Sequence, residues 1–113
     1  MDTVTLNFTA VCDVTDILPG TGVCALVEGR HVAVFRVGAD RFFAIDNVDP
    51  KSGASVLSRG LLGSVGDRLV VASPLYKNRF DLRTGECLDA PAFSVAAHGV
   101  RIDGQRVLVA LGG

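Results

Sequence analysis

The sequence predicts an all-β fold, an antiparallel β-sandwich or small barrel, on three observations. Short Val-rich runs alternate or stay apolar over a strand's length, turn residues separate them at close intervals, and no stretch carries an amphipathic helical period. The 13 Gly and 4 Pro are spread through 113 residues, as many short strands require. Hydrophobic residues make up 49% of the chain, enough for one modest core, so residues 1–113 are expected to form a single domain.

The elements follow in order. A single helical turn is expected around Thr15-Asp16-Ile17-Leu18, opened by an N-cap-type Thr or Asp and ended by Pro19-Gly20. Residues 23–27 and 31–37 read as strands separated by Glu28-Gly29-Arg30, and Gly38-Ala39-Asp40 then leads into a strand over 42–45. That spacing is an antiparallel meander. Gly66-Asp67 turns the chain into a strand at 69–72. Residues 79–82 form a short strand closed by Arg83-Thr84-Gly85-Glu86, where Gly85 is expected to supply a positive φ. Strands at 99–102 and 106–111, joined at Asp103-Gly104, complete the pattern.

Composition excludes several function classes. The 11 basic and 12 acidic side chains are dispersed and leave a formal net charge of −1, which gives no electrostatic footprint for nucleic acid or an anionic membrane. No apolar run approaches the roughly 18 residues of a membrane span. Asp2, with no basic segment ahead of an apolar stretch, predicts no secretory signal. Cys12, Cys24 and Cys87 are odd in number and widely spaced, the usage of small core residues in a reducing cytoplasm rather than of a disulfide framework. His31 and His98 share no short spacing with them, so both are expected to be surface or hydrogen-bonded histidines rather than metal ligands. Asp46, Asp49 and Asp81 read as solvated or capping carboxylates rather than a catalytic pair. Arg83-Thr84-Gly85 opens no helix and is no phosphate loop.

Two segments remain. The first is Phe43-Ala44-Ile45-Asp46-Asn47-Val48-Asp49-Pro50-Lys51-Ser52-Gly53-Ala54, followed by Leu57-Ser58-Arg59-Gly60. The second is Ser73-Pro74-Leu75-Tyr76-Lys77-Asn78-Arg79-Phe80-Asp81-Leu82-Arg83-Thr84-Gly85. Each resembles one of the two cluster-binding loops of a Rieske iron–sulfur domain, and the resemblance covers most of the chain. It implies a Rieske-like fold with a cluster-binding-type subdomain formed by two loops.

A Rieske centre takes two Cys on one iron and two His on the other. The family supplies them as a Cys-x-His pair and a later Cys-x-x-His pair. On that alignment Asp49 and Lys51 stand at the places of the first pair, Ser73 and Tyr76 at those of the second. Asp49 and Ser73 offer hard oxygens, Lys51 a cation and Tyr76 a phenol, and none suits an iron–sulfur cluster. No Cys or His lies between residues 32 and 86, so a shift of register does not restore the site. No cofactor, metal ligand or catalytic residue is assigned to this chain.

Within that superfamily the chain resembles the small subunits of assimilatory NAD(P)H-dependent nitrite reductases, which combine this size with absent ligands. The runs Asn47-Val48-Asp49-Pro50 and Ser73-Pro74-Leu75-Tyr76-Lys77 carry the likeness, as does the opening Val11-Cys12 through Leu18-Pro19-Gly20-Thr21-Gly22-Val23. The resemblance implies a cytoplasmic oxidoreductase subunit that supports a large subunit. The partner would carry FAD, a [4Fe–4S] cluster and sirohaem and reduce nitrite to ammonium. It further implies that the two loops converge on one exposed tip, where Lys51, Leu75, Tyr76 and Lys77, with Arg79 beside them, have the composition of a protein interface. Two other readings stay open on the sequence: a [2Fe–2S] ferredoxin that transfers electrons itself, and a ligandless binding module of another oxidoreductase.

Overall fold

The structure, a computed structural model, describes residues 7–112. Asp2, on which the expectation of no secretory signal rests, lies outside them.

Among the described residues, β1 (Thr9–Asp13), β2 (Thr21–Val27), β3 (Arg30–Val37), β4 (Arg41–Asp46), β8 (Ala97–Asp103) and β9 (Arg106–Ala110) form a 6-stranded antiparallel sheet in the order β1-β9-β8-β4-β3-β2. Its two end strands approach each other, so the sheet curls into a nearly closed barrel. β5 (Leu61–Val65), β6 (Arg68–Ala72) and β7 (Arg79–Asp81) form a 3-stranded sheet in chain order. The all-β expectation holds.

Period-two alternation explains the packing. On β3, Val32 and Val34 point into the barrel and meet Ile17, Val27, Ala44, Val107 and Val109. Ala33 and Phe35 point outward, where the small sheet covers them with Val71, Phe80, Leu82 and Cys87. Residues 32–35 are therefore buried on both faces, which is why that stretch is a continuous apolar run. The β2–β3 connection is the two-residue loop Glu28-Gly29, both with positive φ (49° and 81°), a geometry that matches the twist of the flanking strands.

Several elements differ from the sequence expectation. The helical turn is a 3-10 turn at Val14–Asp16, closed by a reciprocal Asp13–Asp16 capping box. β7 ends at Asp81, where Asp81 Oδ1 accepts the Arg83 and Thr84 amides and turns the chain. β1 and β5 carry no strong strand signal; β5 holds Gly63 at its centre and is an edge strand with mostly exposed side chains. Cys87 is a core residue as expected, but Cys24 is exposed. It shares a face of β2 with Gly22, whose neighbours are Phe35 and Ser58, and the covering layer does not reach as far as Cys24. Burial pushes the Cys12 thiol up, and Asp16 and Asp13 add to that, which disfavours a reactive thiolate.

Candidate functional site: the tip formed by two loops

Two loops leave the sheets and meet. The first follows β4, and the buried side chain of Asn47 organises it. Its Oδ1 accepts the Ser58 amide at 2.6 Å, its Nδ2 donates to Ser55 Oγ at 2.7 Å, and its carbonyl accepts the amides of Val56 and Leu57. Inside that frame the Asp49 amide donates to Ala54 O and the Gly53 amide to Asp49 O, while Asp49 Oδ1 accepts the Lys51 amide at 2.9 Å. Asp49 thus closes a turn, as short carboxylates do. The second loop joins β6 to β7. The Ser73 amide donates to Asn78 O and the Lys77 amide to Ser73 O, each at 2.9 Å. Lys77 takes a φ of 60°, a left-handed backbone that costs a side-chain-bearing residue about 1–2 kcal/mol.

Asp49, Lys51, Ser73 and Tyr76 face one another across the loops. Asp49 and Ser73 are buried, 0% and 1% exposed, and Ser73 Oγ donates to Asp49 Oδ2 at 2.5 Å. Outside them, Lys51 Nζ lies 4.8 Å from the centroid of the Tyr76 ring. Leu75 and Tyr76 are 52% and 51% exposed, and Lys51 and Lys77 are exposed as well. Lys51, Leu75, Tyr76 and Lys77 therefore share one mixed basic and apolar surface, and Leu75 is not tucked beneath the loop.

Arg79 does not join that surface. Its Nη2 and Nε meet Asp89 Oδ1 and Oδ2 at 2.7 and 3.1 Å, and its own amide donates to Asp89 Oδ2. These bonds hold the Asp89 carboxyl down at about 2. A lowered folded-state pKa contributes stability above the unfolded value of about 3.9 and loses it as pH falls through about 2. Asp89→Asn is accordingly expected to lower the urea midpoint at pH 6, with most of the difference from the parent lost by pH 2. A difference at pH 2 as large as at pH 6 would exclude this linkage.

Several other titratable groups are internally engaged. Asp46 Oδ1 accepts from Arg30 Nη2 at 2.9 Å and pairs with His98 Nε2 at 2.8 Å, while Oδ2 accepts the Ala96 amide. The Gly112 amide donates to His98 Nδ1, so Nε2 carries the ring proton and donates to Asp46. His98 is a buried, hydrogen-bonded strand residue, and His31 Nδ1 pairs with Ser55 Oγ. Burial pushes the Asp81 carboxyl up, but bonds from Arg68 and from the Arg83 and Thr84 amides more than offset this and leave it lowered. A groove of about 550 Å³ beside the first loop is lined by Arg30, His31, Asp46, Val48 and Pro50, and its carboxylate is the one already engaged. Among the described residues no group of three His, Cys, Asp or Glu is placed to hold a metal ion.

The donor chemistry at the tip does not fit an iron–sulfur cluster. One pair of places holds a carboxylate and a hydroxyl bonded to each other, and the other holds an ammonium over an aromatic face. Neither thiolate nor imidazole is present there. The pairing itself was not legible in the sequence, because Asp49 and Ser73 are 24 positions apart. Asn78 Nδ2 is buried with no hydrogen-bond partner among the described residues.

Comparison with known proteins places this geometry. The sequence profile of the Rieske-like [2Fe-2S] domain matches residues 7–110. The NADH nitrite reductase small subunit of Salmonella typhimurium is 52% identical over 93 residues, 81% of this chain and 86% of that one. The solution structure of the NAD(P)H nitrite reductase small subunit from Erwinia carotovora superposes with a TM-score of 0.81 at 48% identity, covering 94% of this chain and 82% of that one. The NAD(P)H nitrite reductase large subunit of Klebsiella oxytoca contains a stretch 43% identical over 100 residues, which is 88% of this chain but 10% of that protein.

Proposed function

The chain belongs to the Rieske-like [2Fe-2S] domain family, and from that membership we propose that it is the small subunit of a cytoplasmic NAD(P)H-dependent nitrite reductase, working as one folded unit with no catalytic site of its own. The observation that carries the reading is the Klebsiella oxytoca match. There a counterpart of nearly this whole chain is part of a large-subunit polypeptide, so as a separate chain it has the large subunit as its natural partner.

On this reading flavin, [4Fe–4S] cluster and sirohaem belong to the large subunit, which takes nitrite to ammonium. This chain binds and supports it without carrying electrons. The donor set at Asp49, Lys51, Ser73 and Tyr76 supports that division, since it offers neither the thiolates nor the imidazoles of a Rieske cluster. A cytoplasmic setting agrees with free Cys12, Cys24 and Cys87, and among the described residues no helix is long and apolar enough to cross a membrane.

The docking face is the tip. Exposed Leu75 and Tyr76 flanked by Lys51 and Lys77 form an apolar centre with a cationic rim, which fits an apolar patch edged by carboxylates on the partner. The test is co-expression with the nitrite reductase large subunit. The parent chain is expected to co-purify with it and to leave its own absorption spectrum colourless when isolated. Lys51→Glu combined with Lys77→Glu is expected to weaken the complex by roughly tenfold or more, about 1.4 kcal/mol. Unchanged complex formation by a folded double variant would remove the tip from consideration, and a coloured, iron-containing chain would favour the ferredoxin reading instead.

A further inference from the structure

In a Rieske centre the ligands divide by iron: the two thiolates share one metal and the two imidazoles share the other. The side chains found here divide in the same way. The thiolate places, Asp49 and Ser73, bond to each other, and the imidazole places, Lys51 and Tyr76, stack on each other. Each pair takes one member from each loop. We propose that these pairs are two metal-free staples that do the mechanical work of a cluster, the Asp49–Ser73 pair locking the base of the tip and the Lys51–Tyr76 pair closing its rim.

The two staples differ in kind. Asp49–Ser73 is buried, and a hydrogen bond in a low-dielectric setting is strong and directional. Each partner also organises its own loop: Asp49 accepts the Lys51 amide and, through its carbonyl, the Gly53 amide, while the Ser73 carbonyl accepts the Lys77 amide. Disturbing one loop therefore transmits to the other through a single bond. Lys51–Tyr76 is exposed, so solvent weakens it, and it acts as a lighter clasp over the first. The consequence is a tip whose shape does not depend on iron.

Native-state hydrogen exchange on the isolated chain tests this without involving the large subunit, so its failure is distinguishable from failure of the docking assignment. The readouts are the Gly53 amide in the first loop and the Lys77 amide in the second. Ser73→Ala is expected to speed exchange at Gly53, and Asp49→Asn at Lys77, by about tenfold each. The double variant should be no faster than the more severe single one. Lys51→Met and Tyr76→Leu, surface changes that spare the core, should each give a few-fold acceleration in the opposite loop, again without adding. Acceleration confined to the mutated loop, or effects that simply add, would overturn the proposal. So would a chelator that releases iron from the parent chain and loosens both amides; equal protection before and after chelation is the expected result.

Discussion

Phe80→Ala is expected to cost about 3–5 kcal/mol of folding stability, read as a fall in the urea midpoint of the isolated chain. Phe80 is fully buried at the middle of β7, opposite Val71 in the ladder and bridged to Cys87 beyond it. Its ring fills the space between the sheets together with Phe35, Ile45 and Leu57. Alanine removes most of that volume, and a close-packed core fed by rigid strands collapses only partly around the loss. A domain of this size commonly has about 5–15 kcal/mol in total, so the variant should sit near the edge of folding. Leu75→Ala, at the exposed tip, should move the midpoint little. A loss below about 1 kcal/mol for Phe80→Ala would mean that the small sheet is not held to the barrel by this core. Because β7 directly follows the second loop, docking should weaken along with stability.

Gly85→Ala is the second large effect. Gly85 has a φ of 79°, and a Cβ built there would stand 2.0 Å from the carbonyl oxygen of Val95. That carbonyl belongs to fixed backbone: the Val95 amide donates to Gly85 O, and the Gly85 amide donates to Asp81 O. Two penalties combine, a left-handed strain of about 1–2 kcal/mol and an overpacking cost of about 1–3 kcal/mol. Gly104 separates them, since its φ is 62° yet a Cβ there would meet nothing within 4 Å. Gly104→Ala should show the strain alone. Equal losses in melting temperature for the two variants would exclude the Val95 contact as the deciding factor.

Much of the architecture was legible because hydrophobic alternation and turn chemistry are local. Residues 31–37 announce a central strand, Glu28-Gly29-Arg30 a turn (of which the structure gives Arg30 to the strand), and Arg83-Thr84-Gly85 a turn that needs glycine. The two missed strands show where local signals end. β1 is held by its pairing with β9 at the far end of the chain, and β5 by its hairpin pairing with β6, so ladder contacts rather than their own residues fix their conformation. Cys24 was misjudged because burial depends on which parts of a face the second sheet covers. Arg79 was placed at the tip by proximity to Lys77, whereas its charge is taken up by Asp89 ten positions on.

The sequence by itself determined the all-β character of this protein and the position of its two loops, since these are matters of residue type and short-range order. Only the tertiary structure decided that the four substituted places close on one another as Asp49 with Ser73 and Lys51 with Tyr76. The physical reason is that such contacts join loops far apart in the chain. Their partners are fixed only when the two sheets pack and bring the loops to the same end of the molecule.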